Sequence, residues 1–162
     1  MKKAELLDLQ EKITFYSKEL KDLKGAKFSY AIIKNSAMLQ KECEAIIEAG
    51  KSPASYLEYD QERVKLCEML AKKDENGQPI KKNQKGESFE YDIDLTSPQW
   101  TTEFNALQEK HKAAIEENKK VKNDWIQFLN TESEIQFHKI KLEDVPDSIS
   151  VEIMSLIEPF LD

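Results

Sequence analysis

Apolar residues recur along this chain at steps of three and four, the spacing that lines up one face of an α-helix. Leu6, Leu9, Ile13, Tyr16, Leu20 and Leu23 form one such seam, an a/d heptad pattern ending just before Gly25. Phe28, Ile32, Asn35, Leu39, Cys43 and Ile46 continue the period and stop at Gly50. The pattern predicts helices over 3–24 and 27–49. A turn this short makes neighbours, so the two should fold back as an antiparallel hairpin.

Two Ser-Pro pairs mark further helix starts, because Ser can accept from free N–H groups and Pro needs no donor in the first turn. Ser52-Pro53 opens a predicted helix over 53–73, with Leu57, Val64, Cys67, Leu70 and Ala71 inward. Ser97-Pro98 opens the most regular seam: Trp100, Phe104, Leu107, His111, Ala114, Asn118, Val121, Trp125 and Phe128. A helix over 98–130 would be about 50 Å long at 1.5 Å per residue, long enough to serve as a spine against the N-terminal hairpin. Its middle positions are small or polar. A last helix is predicted over 149–160, with Ile153, Met154, Ile157 and Phe160 or Leu161 facing the core.

Between the third and fourth helices the period changes. Asp74-Glu75-Asn76-Gly77 is turn chemistry, and Phe89-Glu90-Tyr91-Asp92-Ile93-Asp94-Leu95 alternates strictly, as a half-buried strand does. With Pro79-Ile80-Lys81 as its partner, this predicts a small β-element over 79–95, its Phe89, Ile93 and Leu95 face against the helices. Ile135, Phe137 and Ile140 mark a further candidate strand over 134–140. The fold class is therefore mainly α: a helical bundle of coiled-coil-like hairpins with a small inserted β-hairpin, read as a single domain over 1–162.

Composition narrows the functional classes. The chain carries 31 acidic against 24 basic residues, a net charge of −7, and all its basic residues except Arg63 are lysines. Nucleic-acid binders need a basic excess and lean on Arg, so no direct nucleic-acid contact is expected. The imbalance gathers at the C-terminus, where the last 32 residues hold eight acids and two lysines. Such a surface keeps a protein soluble and can also dock on a basic partner. No apolar run has the length of a membrane span or the form of a signal peptide, so no membrane association and a cytoplasmic location are expected. Cys43 and Cys67 sit in helical patterns as small apolar filler.

No catalytic constellation stands out. Asp74-Glu75-Asn76-Gly77 resembles the start of a calcium loop, but Lys85 occupies the position that needs a bidentate Glu. His111 and His138, the only histidines, have no partner at zinc-ligand spacing. The four glycines form no phosphate cradle. The expectation is a protein without enzymatic activity, metal or cofactor. The lysines at 72, 73, 81, 82 and 85 are offset by Glu87, Glu90, Asp92 and Asp94 close by.

Two stretches carry a family likeness: Leu70-Ala71-Lys72-Lys73-Asp74-Glu75-Asn76-Gly77-Gln78-Pro79, and Ile140-Lys141-Leu142-Glu143-Asp144-Val145-Pro146 with Ile149 and Leu156-Ile157-Glu158-Pro159. Together with the order of elements, they resemble small bacteriophage-encoded helical proteins of unknown function. The resemblance implies a phage or prophage origin, hence the host cytoplasm, and a non-enzymatic role; it assigns no functional residue. The resulting expectation is a protein-binding or assembly module, acting through helical and acidic surfaces and able to form a homo-oligomer. The alternative is a small inhibitor of a host defence or nucleic-acid enzyme, using the acidic C-terminal face. Candidate interaction residues are Trp100, Phe104, Trp125, Phe128, Asp144, Asp147, Glu152 and Glu158.

Overall fold

The computed structural model describes residues 1–85 and 88–162. Gly86 and Glu87, inside the expected β-element, lie outside the described residues. The chain is mainly α-helical with a small antiparallel β-hairpin. Its elements run α1 (Lys3–Phe15), α2 (Ser17–Asp22), α3 (Ala26–Ala49), α4 (Ala54–Leu70), β1 (Lys81–Lys85), β2 (Ser88–Tyr91), α5 (Pro98–Lys110), α6 (Lys112–Leu129) and α7 (Val151–Ile157). Short 3-10 turns cover Leu142–Asp144 and Glu158–Phe160. The residues group into two compact units: Met1–Lys51 with Asp124–Asp162, and Ser52–Asn123.

The first unit is built on the predicted hairpin, with α1 packed along α3. Leu6, Leu9, Ile13 and Leu20 are buried from one arm, and Phe28, Ile32, Asn35, Leu39, Cys43 and Ile46 from the other. Ile140, Ile153, Leu156, Ile157 and Phe160 complete the core. Each fully buried aliphatic or aromatic side chain contributes about 1.5–3 kcal/mol, so this cluster dominates the unit's stability. The expected helix over 3–24 is broken at Tyr16 (φ −86°, ψ 12°). Tyr16 and Leu23 are consequently only partly covered.

Asn35 is the one polar residue in that core, with no exposed surface. Its Nδ2 donates to the His138 carbonyl at 2.9 Å, and its Oδ1 accepts from the His138 N–H at 2.7 Å. The expected strand over 134–140 is therefore replaced by an extended segment whose backbone is held by a side chain. Its one bridge is Ile140 beside Leu161. Lys3 closes the other end of the unit. Its N–H donates to the Thr131 carbonyl at 3.1 Å, and its Nζ donates to the Glu132 carbonyl at 2.8 Å. A lysine there answers the free carbonyls past the C-terminus of α6.

The second unit is packed differently. The helix expected over 53–73 starts at Ala54 and stops at Leu70, because Ala71 turns extended and bridges Ile93. Its inward face is also rotated from the expected one. Leu57 and Val64 are exposed, while Tyr59 and Leu66 are buried. In the hairpin, Lys81 pairs with Tyr91 and Lys82 with Glu90, with a bulge before Lys85 and Ser88. Asn83 takes φ 52° at that bulge, a conformation Asn tolerates better than most residues. The Ile80 carbonyl accepts from the Asp92 N–H, and Lys72 donates to the Asp92 carbonyl and accepts from the Ile80 N–H, so residues 71–73 lie along the hairpin's base. Phe89 and Ile93 are half-buried as expected, whereas Leu95 is exposed.

The expected 98–130 helix is two helices. His111 (φ −107°, ψ 18°) ends α5, and α6 begins at Lys112. The first half packs on α4, so much of the apolar seam meets a neighbour within this unit. Ala114 and Asn118 are the buried positions of α6.

Candidate functional site

A broad concavity lies in the first unit, between α1 and α7. It encloses about 860 Å³. One wall is a single helical face: Glu5, Asp8, Leu9, Lys12, Phe15 and Tyr16 follow steps of three and four along α1. The other wall is Val151, Glu152, Ser155, Leu156, Glu158 and Pro159. Leu9 and Leu156 are buried in the floor, while Phe15 and Val151 stand out of it at 79 % and 82 % exposure. The Phe15 ring meets Tyr16 edge-on, with centroids 4.9 Å apart.

Charge around this groove is one-sided. Glu5, Asp8, Glu11, Glu152 and Glu158 line it, Lys12 is the basic side chain in its wall, and Met1 also lines it with its ammonium paired to Glu132 at 2.6 Å. Lys12 is already bound to Asp8 at 2.7 Å, which holds the ammonium pKa above its usual value through hydrogen bonding and charge. Glu5 caps the start of α1 by accepting from the Lys2 N–H at 2.7 Å. Among the described residues, Glu11, Glu152 and Glu158 make no salt bridge.

The eight residues expected to make contacts divide among different roles. Glu152 and Glu158 come together on the acidic groove. Trp100 and Phe104 stack in parallel, centroids 4.8 Å apart, in the second unit. With Val64, Cys67, Phe89, Tyr91, Ile93 and Leu95 they line a second cleft of about 390 Å³. Trp125 is half-buried, and its Nε1 donates to the Ile46 carbonyl at 2.8 Å. It packs so closely on Gly50 that a Cβ there would fall 2.6 Å from the indole, so glycine is required. Phe128 is 37 % exposed, with the Lys3 ammonium 4.6 Å from its ring centre. Asp144 is held by Lys27 at 3.0 Å. Asp147 is exposed.

Sequence reasoning missed the α1 half of the groove. The available signal was Phe15, an aromatic residue beside the seam rather than in it, flanked by acids at 5, 8 and 11.

The helix break in the second unit gathers titratable groups. Glu62 accepts from Lys110 Nζ at 2.7 Å. His111 Nε2 lies 3.2 Å from the same carboxylate, close enough to pair but poorly aligned for a hydrogen bond. Lys110 first and His111 second hold the Glu62 carboxyl below its ordinary range. Burial raises the Tyr59 phenol, whose ring lies 5.7 Å from the imidazole. The cavity beside this cluster, about 500 Å³, is lined by Glu62, Lys65, Leu66, Met69, Glu103, Ala106, Leu107 and Lys110. His111 is not in its wall.

Among the described residues no helix is long and apolar enough to cross a membrane, and no three His, Cys, Asp or Glu side chains converge as a metal site would need. No protein-family profile, curated protein or solved structure matches the chain.

Proposed function

We propose that this protein is a non-enzymatic protein-binding module that docks a basic segment of a partner in the acid-rimmed groove between α1 and α7. The observation that carries this reading is the pairing of an apolar floor with a one-signed rim. Five carboxylates surround Leu9, Leu156, Phe15 and Val151, and the one lysine is internally paired. Exposed apolar side chains next to a concavity mark interaction surfaces. A rim of one charge steers and selects partners of the other.

The direct test is a set of labelled peptides identical in length and apolar content but differing in net charge, titrated with the full chain. Cationic members should bind, and should weaken steeply between low and high salt. The double substitution Glu152→Lys with Glu158→Lys should abolish that binding. Equal binding of neutral and cationic peptides, or indifference to the double substitution, would remove the groove from consideration.

A second reading follows from the same carboxylates. Their row along α1 and α7 could occupy basic residues that a partner otherwise uses for phosphate, making the protein an inhibitor of a nucleic-acid enzyme. Competition between this chain and a short DNA duplex for a cationic peptide would support it. Simultaneous binding of both would rule it out. A phage or prophage origin is compatible with either reading.

A further inference from the structure

Resting on that docking reading, we infer that the groove's ligand is an amphipathic helix of about 12 residues, apolar on one stripe and Lys- or Arg-bearing on both flanks. The argument begins with backbone chemistry. Both walls are helical, and away from the helix ends their N–H and C=O groups are already used within the helix. An extended peptide adds affinity by pairing with an open sheet edge, and neither α1 nor α7 has one to offer. A helical ligand satisfies its own backbone and needs only side-chain contacts.

Shape points the same way. The α1 face from Glu5 to Tyr16 extends about 17 Å at 1.5 Å per residue and presents positions 5, 8, 9, 12, 15 and 16 in one row. Side chains at such spacing form the ridges between which another helix lays its own, with axes about 8–10 Å apart. A third helix in the trough would reach the exposed Phe15 and Val151 and the floor at Leu9 and Leu156 with residues at i, i+3, i+4 and i+7. On its flanks, Lys or Arg would meet Glu5, Asp8 and Glu11 on one side and Glu152 and Glu158 on the other. A second copy of this chain, itself carrying −7, is the poorer occupant on charge.

Two Leu/Lys peptides of identical composition test the inference, one patterned with helical period and one scrambled, each read by fluorescence anisotropy and circular dichroism with the full chain. The patterned peptide should bind at least about tenfold more tightly than the scrambled one and gain helicity on binding, with one peptide per chain. Phe15→Ala, at an exposed position that leaves the core untouched, should weaken the patterned peptide and leave the thermal melt unchanged. Equal affinity for both peptides would overturn the helical ligand while leaving basic docking intact. Binding of neither would overturn both. A peptide-free dimer that dissociates on the Glu152→Lys, Glu158→Lys double substitution would show that the groove serves a second copy, and would also overturn the inference.

Discussion

The two compact units hold their helices in contrasting ways. The first buries fifteen apolar side chains in one continuous cluster around the α1–α3 hairpin. Outside that cluster, the buried apolar residues among the described ones are Tyr59, Leu66, Ala71 and Ala114, all in the second unit. The second unit is held instead by hydrogen bonds and ion pairs near its surface: Lys82 to Asp92 at 2.7 Å, Lys110 to Glu62 at 2.7 Å, and Ser55 to Glu117 at 3.1 Å. Exposed pairs of this kind contribute little each. Helical content alone therefore says little about stability; what matters is how completely each helix face is covered. The second unit should open first.

Core truncation gives the largest expected contrast. Phe28→Ala or Phe160→Ala should destabilise the first unit by about 3–5 kcal/mol, as read by chemical denaturation. Leu66→Ala should cost less and should raise hydrogen exchange in α4 and α5 while sparing α3. If both substitutions melted the whole chain in one step, the division into units would have no energetic meaning. Asn35→Ala ranks next. It strands both the N–H and the carbonyl of His138 in the core, at about 1–3 kcal/mol for each unpaired group. Gly50→Ala follows, at about 1–3 kcal/mol for overpacking against Trp125, with a shift in indole fluorescence as its signature.

Acid should sharpen the comparison. Lys82 above all holds the Asp92 carboxyl below its ordinary range, and the Thr96 side chain does the same for Asp94. A depressed carboxylate contributes stability that is present above its unfolded pKa and is lost as pH falls through the folded value. Exchange of the amides around Lys72 and Asp92 should therefore rise below about pH 4, before α3 responds. At the alkaline end burial pushes the Cys43 thiol up to about 11. Its stabilising effect is complete below the ordinary thiol range and fades as pH climbs toward that value. At pH 8 the thiol should resist alkylation in the folded chain and react on unfolding. That effect on stability is the smallest of these.

How much could be read from the sequence follows the same division. Along α1 and α3 the heptad pattern named the core because each helix has a continuous partner, so period and burial coincide. Even there Asn35 was legible only as a seam position, since nothing local announces that its amide will hold a backbone segment 103 residues away. In α4 the reading failed by rotation. Apolar residues lie on two sides of that helix, and the choice between Leu57–Val64 and Tyr59–Leu66 was made by α5 and the hairpin, which are distant in sequence. The break at His111 falls at the first position of the polar middle of the seam, whereas Ala114 and Asn118 are buried within an unbroken α6. The acidic groove was half legible, through Glu152 and Glu158; its other wall needed the tertiary pairing of α1 with α7.

The order of the chain through the two units carries a consequence for how the protein is made. The second unit is one continuous stretch, Ser52–Asn123, while the first is assembled from segments on either side of it. On the ribosome the weaker unit can therefore finish folding while the stronger one still lacks Ile140, Ile153 and Phe160. The nascent α1–α3 hairpin must wait with an uncovered apolar face until the last helix emerges, an interval in which chaperones or premature association act.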